Sequence, residues 1–183
     1  MSENGTDKPP HVAVAIVDAH CLLREAIGTW LERWCGIRVV WTGATYEELE
    51  AALAAGLKVD LVLVGLGVGE DAGFDVLRSL AEERPRLKCA AYMHRHDEAT
   101  MLLAYRIGAL ALLHGAVPGD AVCSALKTVM VGGVFHSPVS QGLLMKNPDG
   151  LTQVERNRER LRKQLTAKEL EVLELLVRFP GYS

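Results

Sequence analysis

The chain has 183 residues, 49% of them hydrophobic and 23% charged, with a formal net charge of −3 at pH 7. That length holds one substantial core and part of a second module, and the composition excludes wholesale disorder. The charge excludes nucleic-acid binding by bulk attraction, although Arg156 to Lys163 is locally basic, and no apolar run reaches the roughly 18 residues of a membrane helix.

The polar start, Met1 to Pro10, lacks the basic and apolar regions of a signal peptide. Cys21, Cys35, Cys89 and Cys123 are widely spaced with no CxxC pair and mostly sit in apolar runs, so reduced buried thiols are expected rather than disulfides or zinc ligands, in a cytoplasmic protein.

Short apolar runs, each followed by an amphipathic stretch, recur five times, the pattern of βαβ units and a parallel sheet covered on both faces. A first strand, His11 to Val17, precedes a helix whose stripe Leu22, Leu23, Ala26, Ile27, Trp30, Leu31 and Trp34 is expected to face the sheet. A second strand, Arg38 to Thr42, leads to a helix opened by the capping pair Thr45 and Glu48.

Strand three, Asp60 to Leu66, is nearly all apolar, as a central strand must be, and enters the glycine-rich loop Gly67 to Gly73. The helix after it stops before Pro85. Strand four, Leu87 to Met93, is followed by a helix from Asp97 to Ile107; strand five, Leu110 to Leu113, by a helix from Gly119 to Val131 that Gly132 and Gly133 end. Ser137 to Gly150 reads as a turn-rich linker, Leu151 to Gln164 as a solvated helix, and Thr166 with Glu169 caps an amphipathic helix running to Val177.

The segment Ile16-Val17-Asp18-Ala19-His20, the loop after strand three, Gly108-Ala109 and Gly132-Gly133 together resemble the receiver domain of response regulators over residues 11–138. Leu165-Thr166-Ala167-Lys168-Glu169-Leu170-Glu171-Val172-Leu173 is similar to the first helix of a LuxR-type helix-turn-helix, so the whole resembles the NarL/FixJ subfamily of transcriptional regulators. The resemblance implies a flavodoxin-like, doubly wound five-stranded parallel α/β sheet at 11–138, a partly helical linker at 139–164, and the start of a truncated output domain at 165–183.

Receivers of this family take phosphate on an aspartate ending strand three, beside acids that hold magnesium and side chains that hold the phosphoryl oxygens. At the corresponding positions this chain carries Asp18 followed by Ala19 instead of two acids, Gly65 for the acceptor, Tyr92 for a small hydroxyl residue and, ungapped, Gly115 for the lysine. The resemblance therefore implies a phosphorylation-independent regulator that is not an enzyme, takes no cofactor or metal, and controls transcription as a homodimer. DNA contact is expected from a recognition helix beyond Ser183.

Other readings remain open at this stage. Glu70 or Asp71 could take phosphate or metal in place of the missing acceptor, or be solvated loop acids. The space left by Ala19, Gly65 and Gly115 could hold a small-molecule ligand or be plugged by Tyr92. His94, His96 and Asp97, with His20 nearby, are read as turn and capping residues before a metal site. Gly65, Gly67, Gly69 and Gly73 form neither GxGxxG nor GK[ST], so a flexible or compact loop is read there and not a phosphate cradle. Trp30, Trp34 and Trp41 are read as core or interface anchors. Met101, Leu102, Leu103 and Tyr105 are read as an apolar outer stripe suited to dimer contact, and a scaffold that binds another regulator without touching DNA is a further reading.

Overall fold

The computed structural model describes residues 12–67, 72–94, 97–164 and 168–169. Five parallel strands, β1 (Ala13–Val17), β2 (Arg38–Gly43), β3 (Leu61–Leu66), β4 (Lys88–Met93) and β5 (Leu112–His114), lie in the order β2-β1-β3-β4-β5. This is the doubly wound order in which the chain reverses direction between β1 and β3, leaving a crevice at the strand C-termini.

Alternation along the strands builds two cores. Ala15, Val17, Val62 and Val64 face a layer made with Leu49, Leu77 and Met101, while Val14, Ile16, Leu61 and Leu63 face Leu31, Ala125 and Leu126. The first layer is covered by α2 (Tyr46–Ala54), α3 (Ala72–Glu83) and α4 (Glu98–Ile107), the second by α1 (Cys21–Trp30) and α5 (Gly119–Met130). All six residues of β3 are buried, because a central strand faces helices on both sides. Thr45 caps α2 by accepting the Glu48 N–H at 3.3 Å, and the Glu48 carboxylate accepts from Ala44 N–H at 2.8 Å.

Four expectations are corrected. The stripe assigned to α1 faces the sheet only in part: Ile27, Trp30 and Leu31 pack into the second core layer, whereas Leu22 is 82% and Trp34 67% exposed. The inward face of the helix also includes Gly28, whose position lies 3.7 Å from Ile16 Cδ1 for an added Cβ, and the helix continues as a π turn, Leu31–Cys35, that buries Leu31 and Cys35. A residue without a side chain lets the helix approach closest, so the inward face centres on Gly28, Ile27 and Leu31 and turns Leu22 outward.

The outer stripe assigned to α4 is an inner one. Met101 and Leu102 are buried in the first core layer, and Tyr105 is half-buried with its hydroxyl donating to Phe135 O at 3.2 Å, so these three residues offer no dimer surface.

The third correction concerns the linker. Ser137 to Gly150 is not merely turn-rich: it forms α6 (Pro138–Lys146), capped by Ser137, whose hydroxyl accepts from Ser140 N–H at 3.2 Å. Leu143 of α6 is buried in the layer that contains Met101. A further helix, α7 (Gln153–Gln164), follows a capping box in which Thr152 and Glu155 bond reciprocally at 2.7 and 3.2 Å. Arg106 of α4 reaches Glu155 at 3.2 Å, tying that box to the receiver.

The fourth is the cysteines. Cys35, at the end of the π turn, and Cys123 in α5 form a disulfide with a Cα–Cα distance of 5.1 Å, although 88 positions separate them. Cys21 and Cys89 are free thiols, exposed and buried. Wide spacing in sequence says nothing about proximity across a sheet face on which α1 and α5 are neighbours.

The helix expected from Thr166 to Val177 lies outside the described residues apart from 168 and 169, as do His11, Gly69, Glu70, Asp71 and His96.

Candidate functional site

The crevice at the ends of β1, β3 and β4 brings together Asp18, Gly65 and Tyr92. Asp18 follows β1 and is anchored by its own N–H, which donates to Gly43 O at 3.0 Å. Gly65 and Tyr92 are direct neighbours in the β3–β4 register.

The Asp18 side chain is buried and both of its oxygens are engaged. Oδ1 accepts the His20 N–H at 2.7 Å and lies 2.9 Å from His20 Nδ1; Oδ2 accepts the Tyr92 hydroxyl. The Arg24 guanidinium donates through Nη1 to the Asp18 carbonyl, while its buried Nε finds no hydrogen-bond partner among the described residues.

Burial, and then the bond to Asp18, pushes the Tyr92 phenol well above the usual tyrosine range. The phenol is therefore a fixed donor and the carboxylate a fixed acceptor in a charge-assisted bond across the crevice.

Gly65 completes the arrangement by being absent as a side chain. A Cβ there would collide with the Asp18 carboxylate, and a Cβ at Gly73 of α3 would collide with the Gly65 carbonyl. The space remaining beside Asp18, Ala19 and Gly65 is about 20 Å³. That admits about one water, which needs ~10–15 Å³ measured in this way, and no metabolite. Gly115 does not border it; it opens instead on a separate cleft between α1 and α5.

A magnesium ion needs several oxygen ligands, and phosphoryl transfer needs an acceptor in line with them. Among the described residues the crevice holds a single carboxylate, already engaged by a phenol and an imidazole, and that set does not fit the magnesium-assisted chemistry of a receiver.

The remaining candidates separate. Asp97 caps α4, its Oδ2 accepting from Thr100 N–H at 2.7 Å, and His94 is exposed. Among the described residues no group of three or more His, Cys, Asp or Glu is placed to hold a metal ion. Trp30 packs over Gly119, Trp41 against Gly43, and Trp34 stands exposed with Arg33 5.6 Å from its ring centroid. His20 and Arg24 as holders of Asp18 were not read from the sequence; the Asp-x-His spacing, which suits a local turn bond, was the available signal for His20.

The crevice and the strand order define a receiver-type α/β domain whose pocket is closed by its own side chains. The sequence matches no protein-family model. It is 26% identical over 183 residues to the transcriptional regulatory protein DegU of Brevibacillus brevis, covering 94% of this chain and 76% of that one. It is 24% identical over 172 residues to the response regulator VraR of Staphylococcus aureus, covering 94% and 78%. Among solved structures, RcsB of Salmonella typhimurium superposes with a TM-score of 0.69 at 19% identity, covering 94% of this chain and 80% of that one. A LuxR-family response regulator from Aurantimonas gives 0.66 at 19%, covering 75% and 98%. The chain is thus similar to a transcriptional regulatory protein and to a response regulator, and it shares the fold of solved response regulators. Among the described residues, no helix is long and apolar enough to cross a membrane.

Proposed function

We propose that this protein is an atypical response regulator that controls transcription as a dimer in the cytoplasm, takes no phosphate at its receiver pocket and catalyses no reaction. The observation that carries this reading is the position of Gly65. It stands at the mouth of the central strand with no side chain to accept a phosphoryl group, and the Asp18 carboxylate, held by Tyr92 and His20, fills the volume such a side chain would need. Tyr92 acts as the plug, fixing the crevice in one arrangement without phosphate.

On this reading residues 11–138 are the receiver, 139–164 a linker and 165–183 the start of a helix-turn-helix module. DNA contact and pairing are carried over from likeness to the LuxR-type relatives, and the structures of RcsB include dimers bound to DNA. Dimer contact falls to exposed apolar side chains such as Leu22 and Trp34.

Incubation of the full chain with acetyl phosphate and magnesium, followed by intact mass, tests the reading. No mass gain is expected. A gain of one phosphoryl group mapped to residues 65–71 overturns it.

A further inference from the structure

On the far side of Tyr92 from α3, α1 and α5 leave a cleft of about 290 Å³. Leu23, Ile27 and Trp30 form one wall, Val117 and Val122 the other, and Tyr92 with Leu113 the floor. We infer that this cleft is a binding site for a small, uncharged, ring-containing molecule, held by apolar contact between α1 and α5.

Three observations carry the inference. First, among the described residues no Asp, Glu, Lys or Arg lines the cleft, so its walls offer a charged occupant no counterpart. The polar lining is Tyr92, whose hydroxyl is spent on Asp18, His114, 3.4 Å from Ser137 Oγ, and exposed His94 at the rim. The occupant is thus apolar, with its polar group directed toward the rim at His94.

Second, the size selects. An engineered apolar cavity of roughly 150 Å³ binds benzene, so about twice that volume suits a fused bicyclic ring. Third, the walls are held apart in advance. The Cys35–Cys123 disulfide staples the end of α1 to α5, and the Trp30 ring rests against Gly119, where a Cβ would come within 2.9 Å of it. A cleft fixed before binding spends less of the interaction on ordering its walls.

The site stands apart from the question of phosphate uptake, since it shares with the crevice only the Tyr92 ring. That ring gives it a route to the crevice: an occupant contacts one end of the side chain that holds Asp18 at the other.

Titration of the full, oxidised chain with indole, followed by methyl NMR, tests the site. Saturable shifts at Ile27 and Val122 are expected below a few millimolar indole, with a rise in melting temperature. Leu23→Trp, at a part-exposed position on the wall, should weaken binding at least tenfold, as should Val122→Phe; Val131→Trp, remote from the cleft at an 87% exposed residue, should not. Absence of saturable shifts, equal affinity in both filled variants, or shifts that follow protein concentration and mark a second copy of the chain as the occupant would each overturn the inference.

Discussion

The carboxylate of Asp18 occupies the space that a side chain at Gly65 would need. The bare backbone at Gly65 on β3 and the inward pose of Asp18, just after β1, are therefore one packing arrangement, locked by the Tyr92 hydroxyl.

This relationship sets the first expectation. Gly65→Ala should destabilise the fold by about 1–3 kcal/mol, the usual range for overpacking a filled interior. Asp18→Ala should cost about 1–3 kcal/mol by leaving the buried Tyr92 hydroxyl without its partner. The double variant should lose less than the sum, because removing the carboxylate makes room for the added methyl. Urea denaturation of the four proteins measures the coupling, and strict additivity would show that the two positions do not compete for space.

Tyr92 should make the protein sensitive to alkali. Its phenol ionises above the unfolded value of about 10, so the folded state holds the proton more tightly. That stability is complete below pH about 10 and is lost as the pH rises further, because the unfolded chain releases the proton first. Tyr46, raised to about 12 by burial and then by Glu83, acts in the same direction. Tyr92→Phe should lose about 1–3 kcal/mol at neutral pH, where the bond to Asp18 is gone, and show a shallower decline above pH 10. Denaturation midpoints at about pH 8 and about pH 11 for both proteins decide this.

The disulfide offers a third test. Cross-linking residues 88 positions apart removes many unfolded conformations, and reduction should lower stability by roughly 2–4 kcal/mol. Cys35→Ser should give a similar loss without reductant. Thiol titration of the native oxidised protein should report Cys21 alone, because burial pushes the Cys89 thiol up to about 12. Denaturation should add Cys89, and reduction the remaining pair. Four reactive thiols in the unreduced, denatured protein would show that the bridge does not form.

Docking of the linker can be tested at Leu143, which α6 buries against the layer containing Met101. Leu143→Ala should cost about 2–5 kcal/mol of local packing. Hydrogen exchange should then rise across 138–146 while β1, β3 and β4 stay protected, since the sheet keeps its own cores. Uniform acceleration through the sheet would mean that α6 is part of the receiver core instead of a dockable linker.

The sequence by itself pointed to the sheet, because short runs such as Leu61 to Leu66 carry no polar side chain, recur with amphipathic stretches between them, and suit strands covered on both faces. It also determined that positions 65, 19 and 115 carry no carboxylate or amine, since that is a property of Gly65, Ala19 and Gly115 themselves and not of their surroundings. Tertiary structure decided everything that depended on which way an element faced or which distant residues met. The rotation of α1 onto Gly28, the inward turn of Met101 and Leu102, the docking of Leu143 and the joining of Cys35 to Cys123 are outcomes of helix-on-sheet packing. The bond from Tyr92 to Asp18 is of the same kind, spanning 74 positions. Periodicity marks residues as apolar, but the closest approach of two backbones decides which apolar face turns inward.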